Sequence, residues 1–506
     1  MVDNDNLKQK SFNGVIWSYI NTFGLQVLQL IPGMVLARLL TPSEYGIIAM
    51  ASILNGLFAI FIDSGFSMAL IQRKELKHID ICSVFYFNIL SSIVVYVLLF
   101  ICAPFVADFF HLPEVCLIMR ITSLSMIIGS CGAVHNTLLG KELVIKQTTI
   151  RNLIICIVTA IISVSLAYLG FGYWALVFQG LAGTFLRTIS NWMISKWRPT
   201  LEFSYQSLKS LFGFGSKSFA GSLTSYGFSK LYDVVIGKFY TPADLSYFNR
   251  ANATQSLFTD TFLMTMNSVA FASFSKMQDD YDRMRINILR FFRIEVMIIS
   301  FIMLLVIVLA EPIFHFMYSS RWDDVIPMFQ IICVWGLFRP ISCIFANGLL
   351  AHGDSGVHLK CMFIGRSMNI LFLLITWKFG VIVMISGQVI AYLIEIITYS
   401  FFFNKVFTYS FWSMVKDIAP YYSLSAFLCL IIWGFDHYVM SNIFSVISIE
   451  MLDALLRLLV CGLGGLIVFV MLHRILRFDA YVDFKDIVIE ATKSKPVVCK
   501  IAKNVL

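Results

Sequence analysis

The sequence has 506 residues, is 58% hydrophobic and only 13% charged, and its mean hydropathy is +0.81. That balance excludes an ordinary soluble domain and points to a chain that crosses the bilayer many times. The net charge of +8 resides in loops, so it calls for no nucleic acid.

Apolar runs near the length needed to span hydrocarbon predict an all-α, polytopic membrane protein of about fourteen transmembrane helices. In chain order they cover residues 12–38, 44–71, 82–107, 115–138, 150–169 and 172–194. Six more cover 212–239, 245–271, 291–310, 325–350, 358–377 and 379–403, and a last pair covers 414–435 and 451–472. The first run follows a polar start and lacks a small-residue cleavage site, so it is expected to remain as an anchor. The eleven cysteines are scattered, with no C-x-x-C pair, and read as small buried hydrophobes.

One phrase occurs twice. Val35-Leu36-Ala37-Arg38-Leu39-Leu40-Thr41-Pro42-Ser43-Glu44 is matched by Val235-Ile236-Gly237-Lys238-Phe239-Tyr240-Thr241-Pro242-Ala243-Asp244. Each copy ends an apolar helix in one cation, then Thr-Pro, a small residue and an acid. Chance and a common helix-exit chemistry are one explanation; an internal duplication is the other. Six expected spans separate the copies, and six is even. The halves would then be parallel repeats, two six-helix lobes related by a pseudo-two-fold axis along the membrane normal, plus two extra C-terminal helices. The corresponding division is an N-terminal lobe at 1–194, a linker at 195–211 lying on the interface, and a second lobe at 212–403. The extra helix pair occupies 404–477 and a cytosolic tail 478–506.

Cations set the orientation. Loops expected to share the side of the N-terminus hold Arg73, Lys74 and Lys77; Lys141, Lys146 and Arg151; Lys196, Arg198 and Lys209; and Arg283, Arg285 and Arg290. The positive-inside rule therefore places both termini in the cytoplasm. No loop has room for a nucleotide-binding domain, and Gly140-Lys141 lacks the rest of a phosphate-binding loop. No resident cofactor or metal is expected.

Ionisable residues at membrane depth are the functional candidates. On the seventh span, Lys217, Lys230 and Asp233 interrupt an otherwise apolar and small-residue helix. Lys230 and Asp233 are three apart, so they either pair with each other or leave Lys230 lining a cavity for an anionic head group. Arg339 and Arg366 fall near the middle of spans ten and eleven, with Glu395 of span twelve as a candidate partner for either. Arg38 and Lys238 end spans one and seven, where they either snorkel to the interface or face a cavity. Asp63 and Asp260 occupy roughly corresponding places in the two halves. Together with Asp233 and Glu395 they are candidates for a coupling proton or Na⁺. Asp63-Ser64-Gly65 has a local reading as well, as a helix cap or break.

These residues also resemble a known group. Leu36 to Pro42, Asp63-Ser64-Gly65-Phe66-Ser67-Met68-Ala69-Leu70, Gly172-Tyr173-Trp174-Ala175-Leu176-Val177 and Trp197-Arg198-Pro199 carry the resemblance in the first half. Phe212-Gly213-Phe214-Gly215-Ser216-Lys217, Leu245-Ser246-Tyr247-Phe248-Asn249-Arg250-Ala251 and Phe274-Ser275-Lys276-Met277-Gln278 carry it in the second. The chain resembles the Wzx-like lipopolysaccharide and polysaccharide biosynthesis flippases of the multidrug/oligosaccharidyl-lipid/polysaccharide exporter superfamily. It departs from the pattern at Ala272, where the family often has Pro, and at Ser320, where it often has Gly.

The resemblance implies a transporter of the bacterial inner membrane, not an enzyme. It implies ion-driven alternating access that moves an undecaprenyl-pyrophosphate-linked oligosaccharide from the inner to the outer leaflet. Arg250 joins Lys217, Lys230, Arg339, Arg366 and Arg38 as a candidate contact for the head group. Expected partners are the lipid-linked oligosaccharide, the bilayer and polysaccharide-assembly proteins such as a polymerase and a chain-length regulator; a monomer is compatible. Two rivals stand beside this reading: a cation-coupled drug exporter of the same superfamily, which calls for an acidic cavity, and a membrane polysaccharide polymerase, which generally needs a sizeable outward loop.

Overall fold

A computed structural model describes residues 4–63, 65–278, 280–440 and 450–492; at Asp63 and Lys217 it describes the backbone alone. Among the described residues every regular element is helical. Hydrocarbon offers no partner for a peptide group, so a spanning segment must close its hydrogen bonds internally, and a helix does so within one segment.

The chain divides into two compact units, Met1–Ser246 and Tyr247–Leu506. The first holds α1 (Asn4–Leu39), α2 (Pro42–Asp63), α3 (Phe66–Gln72), α4 (His78–Phe110), α5 (Glu114–Thr122), α6 (Leu124–Lys141), α7 (Ile145–Tyr168), α8 (Trp174–Ile194) and α9 (Tyr205–Phe239). The boundary falls early in α10 (Pro242–Ser275). The second unit continues with α11 (Tyr281–Val308), α12 (Ala310–Met317), α13 (Val325–His352), α14 (Ser355–Thr376) and α15 (Val381–Phe407). It ends with α16 (Phe411–Phe435), α17 (Glu450–Arg457), α18 (Gly464–Leu476) and α19 (Asp479–Thr492).

Eleven helical stretches among the described residues are long and apolar enough to cross a membrane. The other three expected spans correspond to α8, α9 and α10, of 21, 35 and 34 residues, which carry more polar side chains. The sequence repeat suggests a division at 195–211, whereas packing groups α9 with α2, α3 and α4. The two divisions answer different questions, one about duplication and the other about contact.

Three boundaries differ from the expected ones. The span at 44–71 is two helices, because the chain turns at Gly65 with φ of 75°, and a Cβ there would meet the Gly215 carbonyl of α9 at 2.2 Å. The span at 115–138 divides at Ser123, whose hydroxyl donates to Met119 O at 2.6 Å and Asn55 Oδ1 at 2.8 Å. Most consequentially, α11 begins at Tyr281, ten residues before the expected start at 291, because Asp280 caps it by accepting from Arg283 N at 3.1 Å.

The duplicated phrase builds the same cap twice. Thr41 N and Oγ1 donate to Glu44 Oε2 at 2.7 and 3.0 Å, and Glu44 N donates to Thr41 Oγ1 at 3.4 Å. Thr241 N and Oγ1 donate to Asp244 Oδ2 at 3.0 and 2.7 Å, and Asp244 N donates to Thr241 Oγ1 at 3.2 Å. Both are capping boxes with Pro at the first helical position, where its missing N–H costs nothing. The two caps touch: a Cβ on Gly46 would lie 1.8 Å from the Pro242 carbonyl oxygen.

In the second unit α11 and α13 are the enclosed helices, with 61% and 56% of their apolar stretch buried, against 17–39% for the other spans. Phe292 packs on Phe345, and Phe345 stacks on Phe403 at 4.2 Å, joining α11, α13 and α15. The extra C-terminal helices are clamped by one cation. Arg457 Nε and Nη2 donate to the two Asp436 oxygens at 2.8 and 2.6 Å, and Nη1 lies 3.6 Å from Glu311 of α12. The Arg457 and Asp436 side chains are 8% and 7% exposed, so neither charge can fall back on water. Replacing Arg457 by Ala should therefore lower the stability of the detergent-solubilised protein by about 3 kcal/mol. Arg457→Gln combined with Asp436→Asn should cost much less, as read by thermal unfolding.

Candidate functional site

Helices α10, α13, α14 and α15 gather the polar residues of the second unit. Asp260 of α10 forms an ion pair with Arg339 Nη1 of α13, and the same nitrogen reaches Thr259 Oγ1 at 3.5 Å. The guanidinium stands 5.1 Å from the centre of the Trp335 ring, one turn earlier on α13. Trp335 in turn stacks on Tyr392 of α15, with centroids 4.7 Å apart. One turn beyond Tyr392, Glu395 feels the charge of Arg366 of α14. Its carboxylate fits against Gly365, where a Cβ would come within 2.5 Å of Oε2. The Asp260–Arg339 ion pair and the charged groups of Arg366 and Glu395 thus lie around one aromatic stack.

Beside the stack lies a cavity of about 60 Å³, lined by Asn252, Ile332, Trp335, Ile385, Gln388 and Tyr392. Its lining mixes aromatic faces with two amide side chains, so an occupant would stack and hydrogen-bond at once.

The first unit holds a separate station on α9. Lys230 Nζ donates to Asp233 Oδ2 at 2.5 Å; the side chains are 35% and 5% exposed. The acid is therefore buried while its cation keeps a solvent-facing side. One turn earlier, Tyr226 donates to Ile53 O at 2.9 Å, with its ring pressed on Gly56 of α2. Small residues such as this glycine let helices close up in a membrane.

The sequence candidates accordingly fall into several places. Arg339, Asp260, Arg366 and Glu395 come together in the second unit. Lys230 and Asp233 pair in the first. Lys238 serves the end of α4: it donates to Phe109 O at 2.5 Å and sits 4.5 Å over the Phe109 ring. Arg38 stands in the last turn of α1. Arg250 packs on Tyr318 and Trp322, at 5.5 and 5.8 Å from their ring centres, away from the stack. The side chains of Asp63 and Lys217 lie outside the described residues. Arg339 takes Asp260 as its partner, which leaves Glu395 to Arg366.

Sequence reasoning missed Trp335, Tyr392 and Gln388, because aromatic residues on apolar helices look like packing surface. A cue exists in hindsight: Trp335 and Arg339 are four apart, as are Gln388 and Tyr392, which puts each pair on one helical face.

Helices in this number, long and apolar enough to cross a bilayer, make a multi-pass membrane protein. Residues 35–327, more than half of the chain, match the family model described as polysaccharide biosynthesis protein, and the chain belongs to that family. It is 24% identical over 361 residues to the lipopolysaccharide biosynthesis protein WzxC of Escherichia coli (strain K12), covering 70% of this chain and 72% of that one. Its fold matches the lipid II flippase MurJ in an inward closed conformation with a TM-score of 0.73, at 18% identity, over 92% of this chain and 100% of that one. An inward-facing multidrug-resistance MATE transporter of the MOP superfamily matches with a TM-score of 0.54, at 16% identity, over 82% and 100% of the two chains.

The Asp260–Arg339 pair makes a direct prediction. Asp260→Asn takes from the half-buried Arg339 guanidinium its carboxylate partner and should lower the unfolding temperature. Adding Arg339→Gln should recover most of that loss, because the charge left without its partner is then gone too. Equal losses in the single and double variants would show that the pair is not coupled.

Proposed function

We propose that the chain flips an undecaprenyl-pyrophosphate-linked oligosaccharide from the inner to the outer leaflet of a bacterial inner membrane, by ion-coupled alternating access. The supporting observation is cationic side chains at membrane depth, in a chain of the polysaccharide biosynthesis family. A hydrated pyrophosphate-sugar cannot cross hydrocarbon unaided. Lys230 has its carboxylate partner on one side and solvent on the other, so it can meet a phosphate without losing Asp233. Arg339 and Arg366 offer planar forks that suit phosphate oxygens, and each already has a carboxylate to exchange for one. The lipid tail stays in the bilayer throughout. Both termini face the cytoplasm in this reading, which rests on the loop cations. A polymerase and a chain-length regulator are the partners that would use the delivered unit. The two lobes of the sequence repeat, with the extra helix pair beside them, would supply the alternating elements.

The test is translocation in liposomes. Purified protein would be reconstituted with labelled undecaprenyl-pyrophosphate oligosaccharide, and label accessibility followed from outside, with and without a proton or Na⁺ gradient. Protein-dependent movement is expected. Lys230→Ala and Arg366→Ala should each slow it by roughly tenfold or more while membrane levels hold, the scale of one lost charge-assisted hydrogen bond. Wild-type rates in both variants would remove the cationic contacts from the proposal. Loss of Lys230→Ala protein from the membrane, restored by also changing Asp233→Asn, would make that pair structural. Gradient-driven uptake of an organic cation, without glycolipid movement, would replace the reading with drug export.

A further inference from the structure

Among the described residues of the second unit, one fully buried carboxyl group stands outside every ion pair. Glu295 is fully buried, and both carboxylate oxygens lack a hydrogen-bond partner among the described residues. It lies fourteen residues into the 28-residue α11, the middle of the enclosed helix. Its neighbours in sequence, Ile294 and Val296, are fully buried and apolar. An ionised carboxylate in such a place would forfeit its hydration and receive nothing in exchange.

The surroundings make the point in charge. Cys343 of α13 lies within electrostatic reach of Arg339, Glu295, Asp260 and Glu395. Adding Arg366 beside Glu395 gives three carboxyl groups and two guanidinium groups in one part of the second unit. Arg339 is ion-paired with Asp260, and Arg366 lies within electrostatic reach of Glu395. Glu295 is the fully buried acid among them, with neither oxygen partnered among the described residues.

The titratable groups on the helices packed against α11 are these. On α18, whose Phe469 stacks on Phe301 at 4.2 Å, His473 is buried with Nδ1 2.9 Å from Phe469 O and Nε2 without a partner among the described residues. On α10, which meets α11 through Phe274 and Phe291, Asp260 is paired with Arg339. On α15, which meets it through Phe407 and Tyr281, Glu395 lies against Gly365 and Lys405 sits 4.4 Å from the Phe401 ring centre. On α13, Arg339 is paired with Asp260, and His352 lies 2.7 Å from Asp354. On α16, Tyr422 donates to Leu337 O at 2.5 Å, Tyr421 accepts from Ala480 N at 3.3 Å, and Asp417 accepts from Tyr409 at 2.9 Å. Lys416 sits next to Asp417, near the start of that helix. On α19, Asp483 and Asp486 meet Arg290, and Asp479 meets Arg293. On α12, Glu311 faces Arg457, and His315 faces Asp323.

We infer that Glu295 is a proton-binding site, carrying its proton at neutral pH and exchanging it during the transport cycle. Binding is one step: a carboxylate oxygen takes a proton from water and becomes an O–H, with no other bond changed. Loss of that proton adds one negative charge to the part of the unit that holds Asp260, Arg339 and Glu395. The transport part rests on the flippase reading; the proton part does not.

Infrared difference spectroscopy of the lipid-reconstituted protein tests the proton directly, without substrate. The wild type at neutral pH should show an un-ionised carboxyl stretch that shifts in D₂O. Glu295→Gln should lose that band, while Asp260→Asn and Glu395→Gln should keep it. Absence of the band in the wild type overturns the proposal, with no variant needed. A band that persists in Glu295→Gln, or one that appears in the wild type only when Na⁺ is withdrawn, overturns it too. If Glu295→Gln does not accumulate, Glu295→Asp should move the band instead of abolishing it; an unmoved band sinks the assignment. In flipping assays the wild type should respond to an imposed pH gradient, and Glu295→Gln should show a gradient-on to gradient-off ratio of about one. An unchanged ratio would remove the transport part. A wild type that moves no glycolipid, yet shows the assigned band, would defeat the flippase reading and leave the proton site standing.

Discussion

A charge carried into hydrocarbon must be neutralised by the protein itself, since the surroundings provide neither water nor counterions. The structure obeys this constraint repeatedly. Asp233 is buried behind Lys230, Asp260 meets Arg339, and Asp436 is gripped on both oxygens by Arg457. The pairs that join different helices set where those helices can lie. The Arg457 clamp ties the last helices to α12 through Glu311, and Arg339 ties α13 to α10. Close helix crossings supply a matching steric condition: Gly56 admits the Tyr226 ring, Gly348 admits Ile288 and Phe403, and Gly365 admits the Glu395 carboxylate.

The same rule gives the second unit its character. Trp335 and Tyr392 stand among the Asp260–Arg339 ion pair and the charged groups of Arg366 and Glu395, so a polarisable apolar stack lies amid these charges. Neighbouring couples can exchange partners at small cost, whereas removing one member leaves a bare charge. Such an arrangement suits a protein that must admit an anion and then let it go. The α9 station differs: its acid is enclosed and its cation half open, a local pair three residues apart on one helix.

Features that depend on local spacing were legible in the sequence. Helical spans followed from apolar runs. The Lys230–Asp233 pairing followed from a three-residue interval, and the chain break from Asp63-Ser64-Gly65. The Thr-Pro repeat foreshadowed twin caps with the same three hydrogen bonds. Features that depend on which helices meet were not legible. Arg339 and Asp260 are 79 residues apart, and periodicity assigns a residue to a face without naming the neighbour. Glu295 escaped notice because Arg283, Arg285 and Arg290 read as a loop, which put the acid at the edge of the expected span. With α11 starting at Tyr281, that stretch is helix and the acid is at mid-length.

The twin caps also serve as a ruler. They give α2 and α10 equivalent origins, at Pro42 and Pro242, from which depth can be counted. With 22 residues, α2 extends about 33 Å, close to the roughly 30 Å of hydrocarbon. With 34 residues, α10 extends about 51 Å and outruns that thickness by a third or more. The two halves therefore share a beginning and not an end. Where α2 stops at Asp63 and the chain turns at Gly65, α10 continues as helix for about three more turns.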